Sequence, residues 1–161
     1  LREAPASLAS LRIVVGQFGG LSRITRAVRR ELRLAGAHVV PLDEPDAVVQ
    51  ARTANQFDAH LYVGFEASPA ESTVVHFYKV PTFESVGGRS LASCLSGELR
   101  ASGLPVSEPC GMRLPVLRET RMPAVLVTLA PVRVAVDAAP DVAARVVQAV
   151  RTWMLDCGRA G

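Results

Sequence analysis

The chain has 161 residues, enough for one domain with its own core, and is 49% apolar but only 5% aromatic. Val, Leu, Ile and Ala must therefore build that core, as they do in α/β sheets. A formal charge of +3, with Lys79 the only lysine, implies no nucleic-acid partner by itself, and three cysteines without a CxxC pair speak against a structural zinc knuckle.

Residues 1–8 read as a linker remnant, 9–156 as the domain and 157–161 as a C-terminal tail. No apolar run is long enough to span a membrane and no signal peptide is present. Because the first residue is Leu1, the chain reads as a domain cut from a longer protein. Leu11 to Val15 predicts a buried strand, and Gly16 to Gly20 a glycine-rich turn. Ser22 is placed as the N-cap of a helix whose apolar stripe is Leu21, Ile24, Val28 and Leu32, with Gly36 as its stop. His38 to Leu42 predicts a second strand, Pro45-Asp46 opens a short helix to about Asn55, and His60 to Phe65 predicts a third strand.

Ser72 to Lys79 predicts a fourth strand. Thr82 or Glu84 opens the next helix, with Leu91, Leu95 and Leu99 inward and Gly103 at its end. Residues 104–112 read as loop. A polar turn closes at Met122-Pro123, where proline pushes Met122 away from helix. Ala124 to Leu129 then reads as a strand buried on both faces. Pro140-Asp141 caps a last helix, with Val142, Val146, Val150 and Trp153 or Met154 inward. Alternating strands and helices predict a three-layer α/β sandwich: a mostly parallel central sheet of five to six strands flanked by helices.

Few side chains suggest chemistry. The turn from Gly16 to Ser22 precedes a helix N-terminus, where backbone N–H groups can hold phosphate, but it matches neither GxGxxG nor a P-loop. It reads first as a plain tight turn, and alternatively as the anion site of a phosphate- or nucleotide-binding domain. Arg23, Arg26, Arg30 and Arg33, with Arg29 beside them, form a stripe that reads as a solvated face, or alternatively as a dock for an acidic protein or an anionic membrane. His38, His60 and His76 read as structural. Cys94 reads as a core or disulfide residue, and a Cys94–Cys110 bridge is expected only if the domain is exported.

Four segments resemble the zinc-dependent N-acetylmuramoyl-L-alanine amidases, the amidase-3 family. They are Ala35-Gly36-Ala37-His38-Val39-Val40, Arg52-Thr53-Ala54-Asn55, Leu61 to Ser68, and Leu117 to Thr128. In that family the last reads roughly "LR-x-T-x-x-PAVLVE". The resemblance implies the family's α/β fold and a zinc ion held by histidines and a glutamate beside a catalytic glutamate. Here the first histidine falls on Phe18, the second on Glu66 and the catalytic glutamate on Thr128, while the loop carrying the zinc glutamate is absent between Gly20 and the helix.

The resemblance therefore implies a zinc-less, non-catalytic domain that binds or regulates in bacterial cell-wall metabolism, with no cofactor and no catalytic residue. Gln17, Phe18, Gly19, Glu66, Ser68, Arg118 and Thr128 are its expected ligand cleft. A peptidoglycan fragment or a cell-wall synthesis or division protein is its expected partner. The alternative is an active, divergent amidase that cuts the amide between muramic acid and the stem peptide using Glu66. The arginine-rich composition fits a high-GC, actinobacterial source. Either compartment, exported or cytoplasmic, is compatible with the sequence.

Overall fold

The computed structural model describes residues 7–160, and side chains as far as Asp156. Most of the expected linker, and Gly161 of the expected tail, lie outside the described residues. Leu8 is fully buried and its N–H donates to the Ala35 carbonyl at 2.9 Å. The last helix runs past residue 156 to Ala160.

The first half alternates strand and helix: β1 (Arg12–Gln17), α1 (Ser22–Leu34), β2 (His38–Asp43), α2 (Ala47–Gln56) and β3 (Leu61–Ala67). β4 (Val74–Val80), β5 (Phe83–Glu84), α3 (Val86–Ala101), β6 (Cys110–Met112), α4 (Pro115–Glu119), β7 (Ala124–Leu129), α5 (Val132–Asp137) and α6 (Ala139–Ala160) follow. The sheet has seven strands in the order β2-β1-β3-β7-β4-β5, with β6 also paired to β4. β2, β1, β3 and β7 run parallel, whereas β4 runs antiparallel to β7.

Side-chain alternation sorts the strands onto two faces. One face carries Ile13, Val15, Val63, Phe65, Val125 and Val127 under α1, α3 and α6. The other carries Val14, Tyr62, Ala124 and Leu126 under α2 and α4. These are the three expected layers, and the apolar stripes expected of α1, α3 and α6 are buried.

Several local expectations are corrected. Ser22 is the first residue of α1, not its cap; Leu21 holds the N-cap position, without a side-chain cap bond. The Gln17 side chain does the capping work, because its Oε1 accepts the Leu21 N–H at 2.9 Å. The stretch 104–112 contains β6, a strand formed by pairing with β4 and not by any pattern of its own. Pro115 starts a short helix, α4, in a stretch for which the sequence predicts no element, because proline suits a first helical position; the expected turn follows it and closes at Met122-Pro123. Pro140 lies inside the first turn of α6, after the additional helix α5. No disulfide joins Cys94 to Cys110, which is an exposed thiol on β6.

Candidate functional site

The strand order places the site. From β1 the chain moves outward through α1 to β2, then returns through α2 on the opposite face to β3 on the other side of β1. A crevice forms where such a sheet reverses direction, outside the carboxyl ends of the two strands. Phe18 follows β1 directly, and Glu66 is the penultimate residue of β3. With Pro45, Ala47, Leu114, Pro115, Val116 and Leu126 they line a cleft of about 290 Å³.

Thr128 lies beside this cleft. It is the sheet partner of Glu66 in the β3–β7 register, and alternation puts both on the α2/α4 face. Its hydroxyl donates to the Val74 carbonyl at 3.1 Å, and its oxygen lies 3.2 Å from His76 Nε2. With the hydroxyl proton committed to Val74, Nε2–H of His76 is the donor and Nδ1 the bare acceptor. That Nδ1 is buried and has no hydrogen-bond partner among the described residues. Burial lowers the His76 pKa from its ordinary value, so the ring is neutral near pH 7.

The remaining expected cleft residues separate. Gln17 is buried on the α1 side, where its Nε2 reaches Ser22 Oγ at 3.1 Å and Thr25 Oγ1 at 3.4 Å. It also takes up a backbone N–H that a phosphate at this turn would use. Gly19 is exposed, with φ of +98°. Ser68 caps the turn after β3, accepting the Ala70 N–H at 3.1 Å. Arg118 is on α4, pairs with Glu119 at 2.8 Å, and lines a different cavity with Tyr78, Phe83 and Met122. The structure therefore unites Phe18, Glu66 and Thr128 and leaves Gln17, Ser68 and Arg118 elsewhere. His76, read as structural, is the addition. Its placement on β4, antiparallel to β7, brings it to Thr128, and a one-strand reading of Ser72–Lys79 carries no sign of that pairing.

Zinc sites take three or four protein ligands drawn mainly from Cys, His, Asp and Glu. Among the described residues no three such side chains come together. Phe18 offers no donor atom, Thr128 spends its proton on the backbone, and Glu66 is an exposed carboxylate with no ion pair among those described. The side chains present do not fit a zinc centre. What they form is an apolar cleft with one carboxylate at its edge. Glu66 also reaches Tyr62 electrostatically: burial, and then the Glu66 charge, raise the Tyr62 phenol pKa far above its usual value. The other two histidines are remote, with His38 exposed on β2 and His60 Nδ1 accepting the Arg12 N–H at 2.9 Å.

No protein-family profile and no curated protein matches the sequence. Solved structures do match the fold. The catalytic domain of CwlV, an N-acetylmuramoyl-L-alanine amidase from Bacillus (Paenibacillus) polymyxa var. colistinus, is 19% identical, with a TM-score of 0.68 over 91% of this chain and 99% of that one. An N-acetylmuramoyl-L-alanine amidase from Clostridium difficile 630 is 18% identical, with a TM-score of 0.72 over 91% and 97% of the two chains. The catalytic domain of the CD27L endolysin, targeting Clostridia difficile, is 14% identical, with a TM-score of 0.70 over 88% and 97%. The chain has the fold of these amidase catalytic domains, as the motif resemblance implies.

Proposed function

We propose that this chain is a non-catalytic member of the peptidoglycan-amidase architecture, a binding or regulatory module in bacterial cell-wall metabolism. The fold shared with CwlV and the Clostridium difficile amidase supports the ligand class. One observation carries the loss of chemistry. The three sheet-end positions that the resemblance assigns to metal ligands and catalytic carboxylate hold an aromatic ring, a solvated carboxylate and a hydroxyl bound to the backbone. A threonine cannot serve as a carboxylate base at neutral pH.

The cleft of Phe18, Leu114, Val116 and Leu126 with Glu66 at its edge then retains a ligand instead of cutting it. Pockets of this kind gain affinity from apolar contact and orientation from a few polar groups. Titration of the chain with soluble muropeptides is expected to saturate. Phe18→Ala is expected to weaken binding about tenfold by removing apolar contact. A flat titration, or binding indifferent to Phe18, overturns the assignment of this cleft.

A divergent amidase relying on Glu66 is the competing reading, and His76 is the histidine bonded to Thr128, the sheet partner of Glu66. Its Nε2 is engaged by Thr128, and neither ring nitrogen is bonded to Glu66. We therefore place the binding module first.

A further inference from the structure

We propose that the outer face of α1 is a docking ridge for an acidic helix of a partner protein. The helix is held by its opposite side: Ile24, Thr25, Val28 and Leu32 are buried. Five arginines and one glutamate fall within its 13 residues. The whole chain has an excess of only three positive charges. The net positive charge of the molecule is therefore concentrated on this helix, and the arginines elsewhere are balanced by acids. General compositional bias gives no reason for such a distribution.

The ridge is also unneutralised. None of the described ion pairs involves Arg23, Arg26, Arg29, Arg30 or Arg33. Elsewhere Arg12, Arg89, Arg100, Arg118 and Arg145 each meet a carboxylate while Arg52, Arg113, Arg121 and Arg133 do not; on α1 all five arginines lack one among the described ion pairs. Adjacent guanidiniums on one helix face repel one another by a few tenths of a kcal/mol per pair, so folding gains nothing from keeping them together.

Spacing selects the occupant. Arg23, Arg26, Arg30 and Arg33 follow one another at three, four and three residues, spread over about 15 Å of helix axis. Carboxylates on a second helix laid alongside recur at the same intervals, so Arg23, Arg26 and Arg30 meet partners in register. Arg33 donates Nη2–H to the Val39 carbonyl at 2.9 Å and keeps its other N–H groups for the fourth. The planar fork of arginine suits carboxylate oxygens. Between the side chains of Arg26, Arg29, Arg30 and Arg33 runs a groove of about 450 Å³ closed by Leu34, which is 72% exposed. An apolar residue beside the partner's carboxylates would sit there. A membrane fits less well, because the arginines form a line on a convex ridge with one apolar side chain available to insert.

The full chain would be titrated with a lactam-stapled helical peptide carrying glutamates at intervals of three, four and three and a leucine beside them. An isomer of the same composition with the glutamates scrambled, phosphatidylglycerol vesicles and an oligothymidylate are the comparisons. We expect the spaced helix to bind at least about tenfold tighter than the scrambled isomer and to weaken as salt is raised. Arg26→Glu with Arg30→Glu should abolish that preference without lowering the circular-dichroism melt, since both side chains are exposed and the substitution relieves like-charge repulsion. Leu34→Ala should weaken the spaced helix about threefold to tenfold and leave the isomer unaffected. Equal affinity for spaced and scrambled peptides, or tighter binding to vesicles or oligothymidylate, overturns the proposal.

Discussion

Asn55 Oδ1 accepts the Arg121 backbone N–H at 2.9 Å across 66 residues of sequence. The same side chain donates Nδ2–H to the Glu119 carbonyl at 2.8 Å. One amide thus clips the turn that leads into β7. Two of the sequence segments that resemble the amidases, Arg52 to Asn55 and Leu117 to Thr128, meet in this clip.

Asn55→Ala leaves a backbone N–H and a carbonyl in this partly buried turn without their partners. We expect a loss of about 1–3 kcal/mol in urea unfolding. Asn55 and the turn do not line the Glu66 cleft, so muropeptide binding measured well below the unfolding midpoint should fall by less than it does in Phe18→Ala.

Tyr62 and Gln50 form a second constrained contact. The phenol donates to Gln50 Oε1, while Gln50 Nε2 donates to the carbonyls of Gln17 at 3.2 Å and Glu44 at 2.9 Å. Gly16 and Gly64 leave the room: a Cβ at Gly16 would run into the Gln50 oxygen and the Tyr62 hydroxyl. Gly16→Ala is expected to cost about 1–3 kcal/mol through overpacking. Tyr62→Phe should cost a similar amount by leaving a buried acceptor unmet. Thermal or urea unfolding measures both.

His76 sets an acid-side dependence. Burial holds its folded pKa below the ordinary value, so on acidification the unfolded chain takes up the proton first. Its contribution is complete above about pH 6.5 and is lost as pH falls through that value toward the folded pKa. Unfolding free energies at about pH 7.5 and about pH 5.5 should differ more in the native chain than in His76→Gln.

Leu8 tests where the folded unit starts. Its side chain is fully buried in the core beneath α1 and α6. Leu8→Ala should destabilise by about 2–5 kcal/mol, as for other buried leucines. A change within about 0.5 kcal/mol would mean that the chain before Leu11 is dispensable.

Much of the fold was legible because strong periodicity carries it. Leu21, Ile24, Val28 and Leu32, or Leu91, Leu95 and Leu99, can satisfy their spacing only as helices with one apolar face. β1, β3 and β7 are apolar runs because they are covered on both faces of the sheet. Elements made by tertiary pairing were not legible: β5 and β6 have two and three residues and owe their form to β4.

The site was partly legible. Phe18, Glu66 and Thr128 end or follow strands that lie side by side, so motif alignment located them. Gln17 misled because the turn after β1 hides which face the strand's last side chain takes, and β1 turns it toward α1. Arg118 misled because the turn and most of β7 lie between it and Thr128: Arg118 precedes the start of the strand and Thr128 lies near its end. His76 escaped notice because its role depends on β4 pairing with β7.

The most direct measurement of the central claim is mass-spectrometric analysis of a soluble muropeptide incubated with the purified chain and zinc. The muropeptide should stay intact and the chain should retain no stoichiometric metal after desalting. Release of free stem peptide, abolished by Glu66→Ala, would contradict the claim and establish an active amidase.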